Sequence, residues 1–243
     1  MSGKSIASSD TTQLFSTPFH RAYWKLAARE FTSLRVLILA AMMTALRIAI
    51  KSVRIPIGPD LNITFGFLFN AVGSMIYGPL VAIAASAVSD TVGAILFPSG
   101  AYFFPYIFSE IAGGLLFALF YYRAKLSVPR VMLGRFSVTV VCNLVLDRLF
   151  YMWQMYLVNG KVYTFMTWPR LAKNIVLFPL QTVMRVLLFR FLLPITNRMK
   201  LTYTGETNLH FTKRDIIVLI LLTLFSAAVV VLYYVFVYQP KAQ

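Results

Sequence analysis

"FGFLFNAVGSMIYGPLVAIAASAVSDTVGAILF", Phe65 to Phe97, carries one charged residue, Asp90. A helix rises ~1.5 Å per residue, so about 20 apolar residues cross the ~30 Å core of a bilayer. This run is too long for one crossing, and Gly78-Pro79 divides it, because proline ends a helix and glycine permits a turn. The expectation is two membrane helices joined in a tight hairpin.

The rest of the chain agrees. Of 243 residues, 59% are hydrophobic, 15% aromatic and 13% charged, far to the apolar side of soluble domains. The 23 Lys+Arg against 8 Asp+Glu give +15. Most of these cations flank apolar runs, which makes them topogenic and argues against nucleic acid as a partner. A lone Cys142 forms no internal disulfide, and His20 and His210 have no metal-ligand spacing, so no metal site is expected. The first thirty residues lack the apolar core of a cleavable signal peptide and read as a retained tail. Ser2 to Ser5, SGKS, lacks the upstream glycine and strand of a phosphate loop, and Asn62-Ile63-Thr64 abuts an apolar run, a poor place for glycosylation.

Seven segments emerge: Phe31 to Ile50, Ile63 to Tyr77, Leu80 to Leu96, Tyr102 to Tyr122, Val131 to Leu157, Asn174 to Ile195 and Ile216 to Tyr238. The fold class expected is an all-α integral membrane protein, a six-helix bundle plus a seventh, lipid-facing C-terminal helix. By domain, this gives a basic tail (1–30), a membrane unit (31–199), a polar linker (200–215) and the appended helix with its short tail (216–243). With the N-terminus cytoplasmic, the inner flanks hold Arg21, Lys25, Arg29, Arg35, Arg123, Lys125, Arg130, Arg135, Arg198, Lys200, Lys213 and Arg214. The outer flanks hold Lys51, Arg54, Lys161, Arg170, Lys173 and Lys241. That bias favours this orientation in the cell membrane. It also puts the loops 51–62, 97–101 and 158–173 outside, where a ligand would be met.

Several residues invite a chemical reading. Ala41, Ala45 and Ala49 recur every four residues, stripping one helix face of bulk for close packing, within the chain or against a partner. Arg47 lies near the outer end of the same segment, where it could also snorkel to the interface. "IPIGPDLNITFGF" joins a rigid Pro/Gly backbone to Phe65 and Phe67, and "LFPSGAYFFP" repeats that chemistry with Tyr102, Phe103 and Phe104. Both suit a lid over a cavity, although such aromatics also form interfacial belts. Asp90, Glu110, Asp147 and Arg148 sit inside apolar segments, where ionisable groups face a cavity or a partner. Asp147 and Arg148 project about 100° apart on a helix, so they cannot both line a narrow cavity. Arg185 and Arg190 either pair with these acids or lie near the cytoplasmic surface, and pairing is the expectation. No protease, hydrolase or zinc-enzyme motif accompanies the acids, so an enzyme is not expected.

The stretch "FGFLFNAVGSMIYGPLVAIAASAVSDTVGAILFPSGAYFFP" and the later "NGKVYTFMTWPRLAKNIVLFPLQTVMRVLLFRFLLP", Asn159 to Pro194, resemble the substrate-binding S components of energy-coupling factor (ECF) transporters. Among these they are most similar to the folate-specific members. The resemblance spans roughly 34–198 and implies a six-helix membrane protein whose outer loops close over a vitamin. It further implies a membrane-embedded T component and two ATPases as partners, with ATP hydrolysed there and no cofactor bound by this chain. In this family the S component is pictured as toppling in the membrane to carry its ligand inward. Ala41, Ala45 and Ala49 would then meet the T component. For a folate, Arg47, Arg54 and Arg170 or Lys173 would serve the carboxylates, as an Arg fork grips a carboxylate with two hydrogen bonds. Phe65, Phe67, Tyr102, Phe103 and Trp153 would surround the rings, and Asp90, Glu110 or Asp147 would accept from the pterin edge. The seventh segment, the long tail and Glu110 depart from the folate pattern. The alternatives are another small nutrient (thiamine, a pyrimidine precursor or a queuosine-like base), or a membrane enzyme or partner subunit.

Overall fold

The computed structural model describes residues 14–58, 61–98, 102–160, 164–165, 168–199, 201, 209 and 211–236. Within the expected basic tail, Arg21–Thr32 forms a helix, α1. Tyr23, Leu26 and Ala27 bury one side of it, the spacing of an amphipathic stripe. The chain then bends by 80° into α2, Leu34–Ile50. Ser33 makes the corner in extended conformation, with its N–H bonded to Glu30 O at 3.1 Å.

α1 is fastened to one end of the bundle, named the inner end after the orientation expected from charge, with the opposite end named the outer. Tyr23 Oη donates to Ala118 O at 3.1 Å, and the Arg123 guanidinium meets Glu30 at 3.3 Å. The basic segment before the first crossing is therefore part of the packed fold. The Gly-Lys-Ser of Ser2 to Ser5 lies outside the described residues.

Between α2 and the next helix the helical pattern gives way to a short hairpin. β1, Arg54–Gly58, pairs antiparallel with β2, Leu61–Thr64, with Arg54 opposite Thr64 and a register irregularity between Pro56 and Gly58. Proline cannot donate to a ladder, and a two-stranded ribbon tolerates it because one edge of each strand stays unpaired.

Helix α3, Gly66–Leu96, contains the turn expected at Gly78-Pro79. Gly78 has φ 74° and ψ −180°, a backbone region open essentially to glycine alone. In a straight helix Gly66 and Gly93 would stand about 40 Å apart. Instead both approach the end of α2: a Cβ on Gly66 would lie 3.7 Å from Arg47 Cγ, and one on Gly93 2.8 Å from Lys51 Nζ. The chain thus doubles back at Gly78, and both ends of α3 reach the outer level. Gly78 itself lies against the Tyr122 ring at the inner level.

Helix α4, Tyr106–Tyr121, descends beside the second arm of this hairpin. Gly114 permits the approach, since a Cβ there would sit 3.0 Å from Ala82 O. α5, Val128–Val138, continues through a π-helical stretch, Thr139–Leu146, into α6, Asp147–Asn159. No residue pattern marks this widened turn, a feature that often accompanies functional positions. α6 ends at Gly160, φ 64°. α7, Trp168–Arg198, and α8, Lys213–Phe236, complete the chain.

The core has two apolar clusters. One joins Ala71, Met75, Phe117, Tyr121, Val131, Val186 and Phe189, and the other joins Tyr23, Ala27, Ala40, Tyr77, Val81, Ala82 and Tyr122. Outside them, α2 exposes Leu37, Ile38, Met42 and Leu46, and α8 exposes Ile217, Leu221, Leu224 and Phe225. Such surfaces suit lipid, and helices suit it because they satisfy their backbone hydrogen bonds internally.

Candidate functional site

At the outer level three helices bring polar residues together at four-residue spacing, Arg47 and Lys51 from α2 and its cap, Ser86 and Asp90 from α3, and Tyr106 and Glu110 from α4. Residues four apart stack on one helix face. Arg47 is 7% exposed. Its Nη2 binds Glu110 Oε2 and its Nη1 donates to Ser86 Oγ at 3.3 Å. Lys51 Nζ lies 3.7 Å from Asp90 Oδ1 and donates to Ser89 O at 3.1 Å. Gly93 makes this possible, because a side chain there would collide with the ammonium group. Tyr102 Oη donates to the other Asp90 oxygen at 3.4 Å.

The two acids differ in access. The Asp90 side chain is 14% exposed and that of Glu110 is 36% exposed. Glu110 is held by Arg47 through one oxygen, which leaves Oε1 as an oriented acceptor. Asp147, the third expected acid, accepts from Ser109 Oγ at 2.5 Å. Arg148 turns away as its helical position requires: Nε donates to Phe165 O at 2.5 Å, and its guanidinium lies over the Tyr151 ring.

Beside the acids stands an aromatic wall. Phe103 meets Trp153 edge-on at 5.6 Å and Tyr106 at 5.9 Å, and Tyr106 meets Phe150 at 6.1 Å. Tyr106 Oη also donates to Gln154 Oε1 at 3.4 Å. Tyr102 and Trp153 are about half exposed. Phe65 stands at the N-cap of α3, half-buried. Arg54 opens β1, and Arg170 and Lys173 belong to the first turns of α7, so these positions flank the same end. The side chains of all three lie outside the described residues.

Sequence reasoning missed Lys51, Ser86, Tyr106, Ser109 and Gln154. Their signal is the recurrence of polar residues at four-residue spacing, as in Ser86/Asp90 and Tyr106/Glu110. Ala41, Ala45 and Ala49 are all exposed, so the small face of α2 is not consumed by packing within the described chain.

One expectation is overturned. Arg185 pairs with none of the acids: it is fully buried, and its guanidinium carbon lies 4.6 Å from the ring centres of both Phe67 and Phe117. Its Nε, Nη1 and Nη2 have no hydrogen-bond partner among the described residues. The acids engage other partners: Glu110 meets Arg47, Asp90 meets Lys51 and Asp147 accepts from Ser109. Two cation–π contacts are worth about 2 kcal/mol each when desolvated, whereas each unmade buried donor costs ~1–3 kcal/mol or more. Arg190 lies over the Phe211 ring.

The family model for the substrate-specific component of ECF transporters matches residues 35–189. The chain belongs to this family. It is thus a membrane-embedded transport component, not an enzyme. Two curated relatives carry the name folate transporter FolT. The protein from Clostridium novyi is 32% identical over 148 residues, 61% of this chain and 84% of the relative. The one from Leuconostoc mesenteroides is 28% identical over 161 residues, 65% and 82% of the two chains. A crystal structure of FolT bound with folic acid superposes with TM-score 0.54 at 29% identity, covering 62% of this chain and 89% of that one. The region matched to the ECF substrate-specific component leaves out α1 and α8.

Proposed function

We propose that this S component captures folate or a closely related pterin at its outer end and delivers it inward with a T component and two ATPases. The observation that carries the reading is the combination at one end of the bundle of an aromatic wall, Phe103, Tyr106 and Trp153, with a carboxylate held in place by Arg47. A pterin is flat and presents adjacent N–H donors. Glu110 Oε1 is suited to accept them, with Asp90 and Asp147 next to it. The aromatic residues supply faces for the rings, with Phe65, Phe67 and Tyr102 at the margin.

The glutamate tail of a folate needs cations, and Arg54, Arg170 and Lys173 flank the mouth of the site. Arg47 joins them by exchanging part of its bond with Glu110 for a ligand carboxylate. The exposed alanines of α2 fit close contact with a helix of the T component, because small side chains let backbones approach. The charge bias puts the N-terminus in the cytoplasm, and the 1–30, 31–199, 200–215 and 216–243 division remains the working domain scheme.

Intrinsic fluorescence tests the ligand. Folate added to purified protein in detergent should quench emission saturably, and Trp153→Phe should remove most of that change while binding persists by calorimetry. Binding of thiamine or a pyrimidine precursor with no response to folate would overturn the assignment.

A further inference from the structure

Arg185 lies in the interior of the bundle and belongs to neither the Arg47–Glu110 nor the Lys51–Asp90 pair, and none of its side-chain nitrogens has a hydrogen-bond partner among the described residues. A guanidinium sandwiched between Phe67 and Phe117 has its faces covered, so its N–H groups are left pointing out from between the rings. A second cation lies on the neighbouring helix: Arg135 of α5 is 3% exposed and its Nε lacks a partner among the described residues, and the preceding Gly134 packs on Tyr121, whose ring stacks at 5.6 Å on the Phe117 that Arg185 covers. Two like charges repel each other, and no acid among the described residues offsets them. Hydroxyl and amide groups are available on the helix face that bears Phe67. Asn70 and Ser74 follow it at three and seven residues, both buried, with Asn70 Oδ1 and Ser74 Oγ lacking a partner among the described residues.

We propose that Arg185 and Arg135 form an internal anion site, distinct from the outer cluster, that takes one small monovalent anion, either free chloride or a carboxylate brought in on a ligand. Such an anion accepts from the in-plane donors of Arg185 and relieves the repulsion between the two guanidiniums. Both sources present the same chemistry, a single negative charge with lone pairs and no donor of its own. Burial sets what can enter: Arg185 is enclosed by two phenyl rings, surroundings that admit a bare ion or a carboxylate on a weakly polar stem and disfavour the polyhydroxylated gluconate.

The test uses the full-length protein in detergent, with sodium chloride replacing sodium gluconate at constant ionic strength. The unfolding midpoint of the parent should rise and saturate with chloride, as binding to the folded state alone requires. Arg185→Gln should weaken the half-saturating concentration at least tenfold, and Arg185→Lys should recover part of it. Folate binding measured across the same series assigns the source: competition with chloride means a ligand carboxylate, and independence means a free anion. Because the salt series needs no folate, its result stands apart from the vitamin assignment. If Arg185→Gln fails to fold, crystals of the parent soaked in bromide decide, through an anomalous peak within hydrogen-bond distance of Arg185. Equal midpoints in chloride and gluconate, with no bromide at Arg185, would overturn the proposal.

Discussion

Arg47 and Glu110, 63 residues apart in the chain, are bound to each other at the outer end of the bundle, with Ser86 as the second acceptor for the arginine. Breaking a buried pair from one side costs ~3–5 kcal/mol, and the partial exposure of Glu110 lowers this. Glu110→Gln should therefore lower the unfolding midpoint, with a loss of roughly 2–3 kcal/mol. Combining it with Arg47→Ala should cost less than the two separate losses together. Strict additivity would show the pair to be energetically uncoupled.

The charge of the outer mouth predicts a contrast between ligands. Arg54→Ala, Arg170→Ala and Lys173→Ala should weaken folate binding, at least one of them by about tenfold, equivalent to ~1.4 kcal/mol. A pterin without the glutamate tail should respond far less, and Arg→Lys should rescue only in part because an ammonium lacks the planar fork. Calorimetry with both ligands makes the comparison. Equal losses for both would assign these cations to loop structure.

Ala45→Leu should leave folate affinity within about twofold and reduce uptake into cells or vesicles by tenfold or more, since Ala45 is on the exposed face of α2 whereas Arg47 is buried on the opposite side. A parallel fall in affinity would assign the face to internal packing.

The reversal at Gly78 predicts a backbone effect. Alanine there would have to hold φ 74° and place its Cβ 3.0 Å from the Tyr122 ring. Gly78→Ala should destabilise by roughly 1–3 kcal/mol, read as a lower unfolding midpoint. A change below ~0.5 kcal/mol would mean that the turn relaxes freely.

Orientation is checked by labelling. In a Cys142→Ser background, a cysteine at Ser9 should react only from the cytoplasmic side, and one at Gln243 only from outside. Reaction of both from one side would remove one crossing from the scheme.

Much of this protein is legible in one dimension. The length of the apolar runs dictates membrane helices, Gly78-Pro79 dictates the hairpin because no other pair between Phe65 and Phe97 supplies both the turn and the stop, and four-residue spacing marks the small face of α2. The helical fold and the family follow from such local signals. The tertiary structure alone decided the partners. Periodicity tells which face of a helix a residue occupies but not which residue of another helix stands opposite, since that depends on how far each helix slides along its neighbour. So Glu110 took Arg47, Asp90 took Lys51 and Asp147 took Ser109, while Arg185, expected to find an acid, lies between two phenylalanines. Its place between α3 and α4, against Phe67 and Phe117, left it unpaired with Asp90, Glu110 and Asp147.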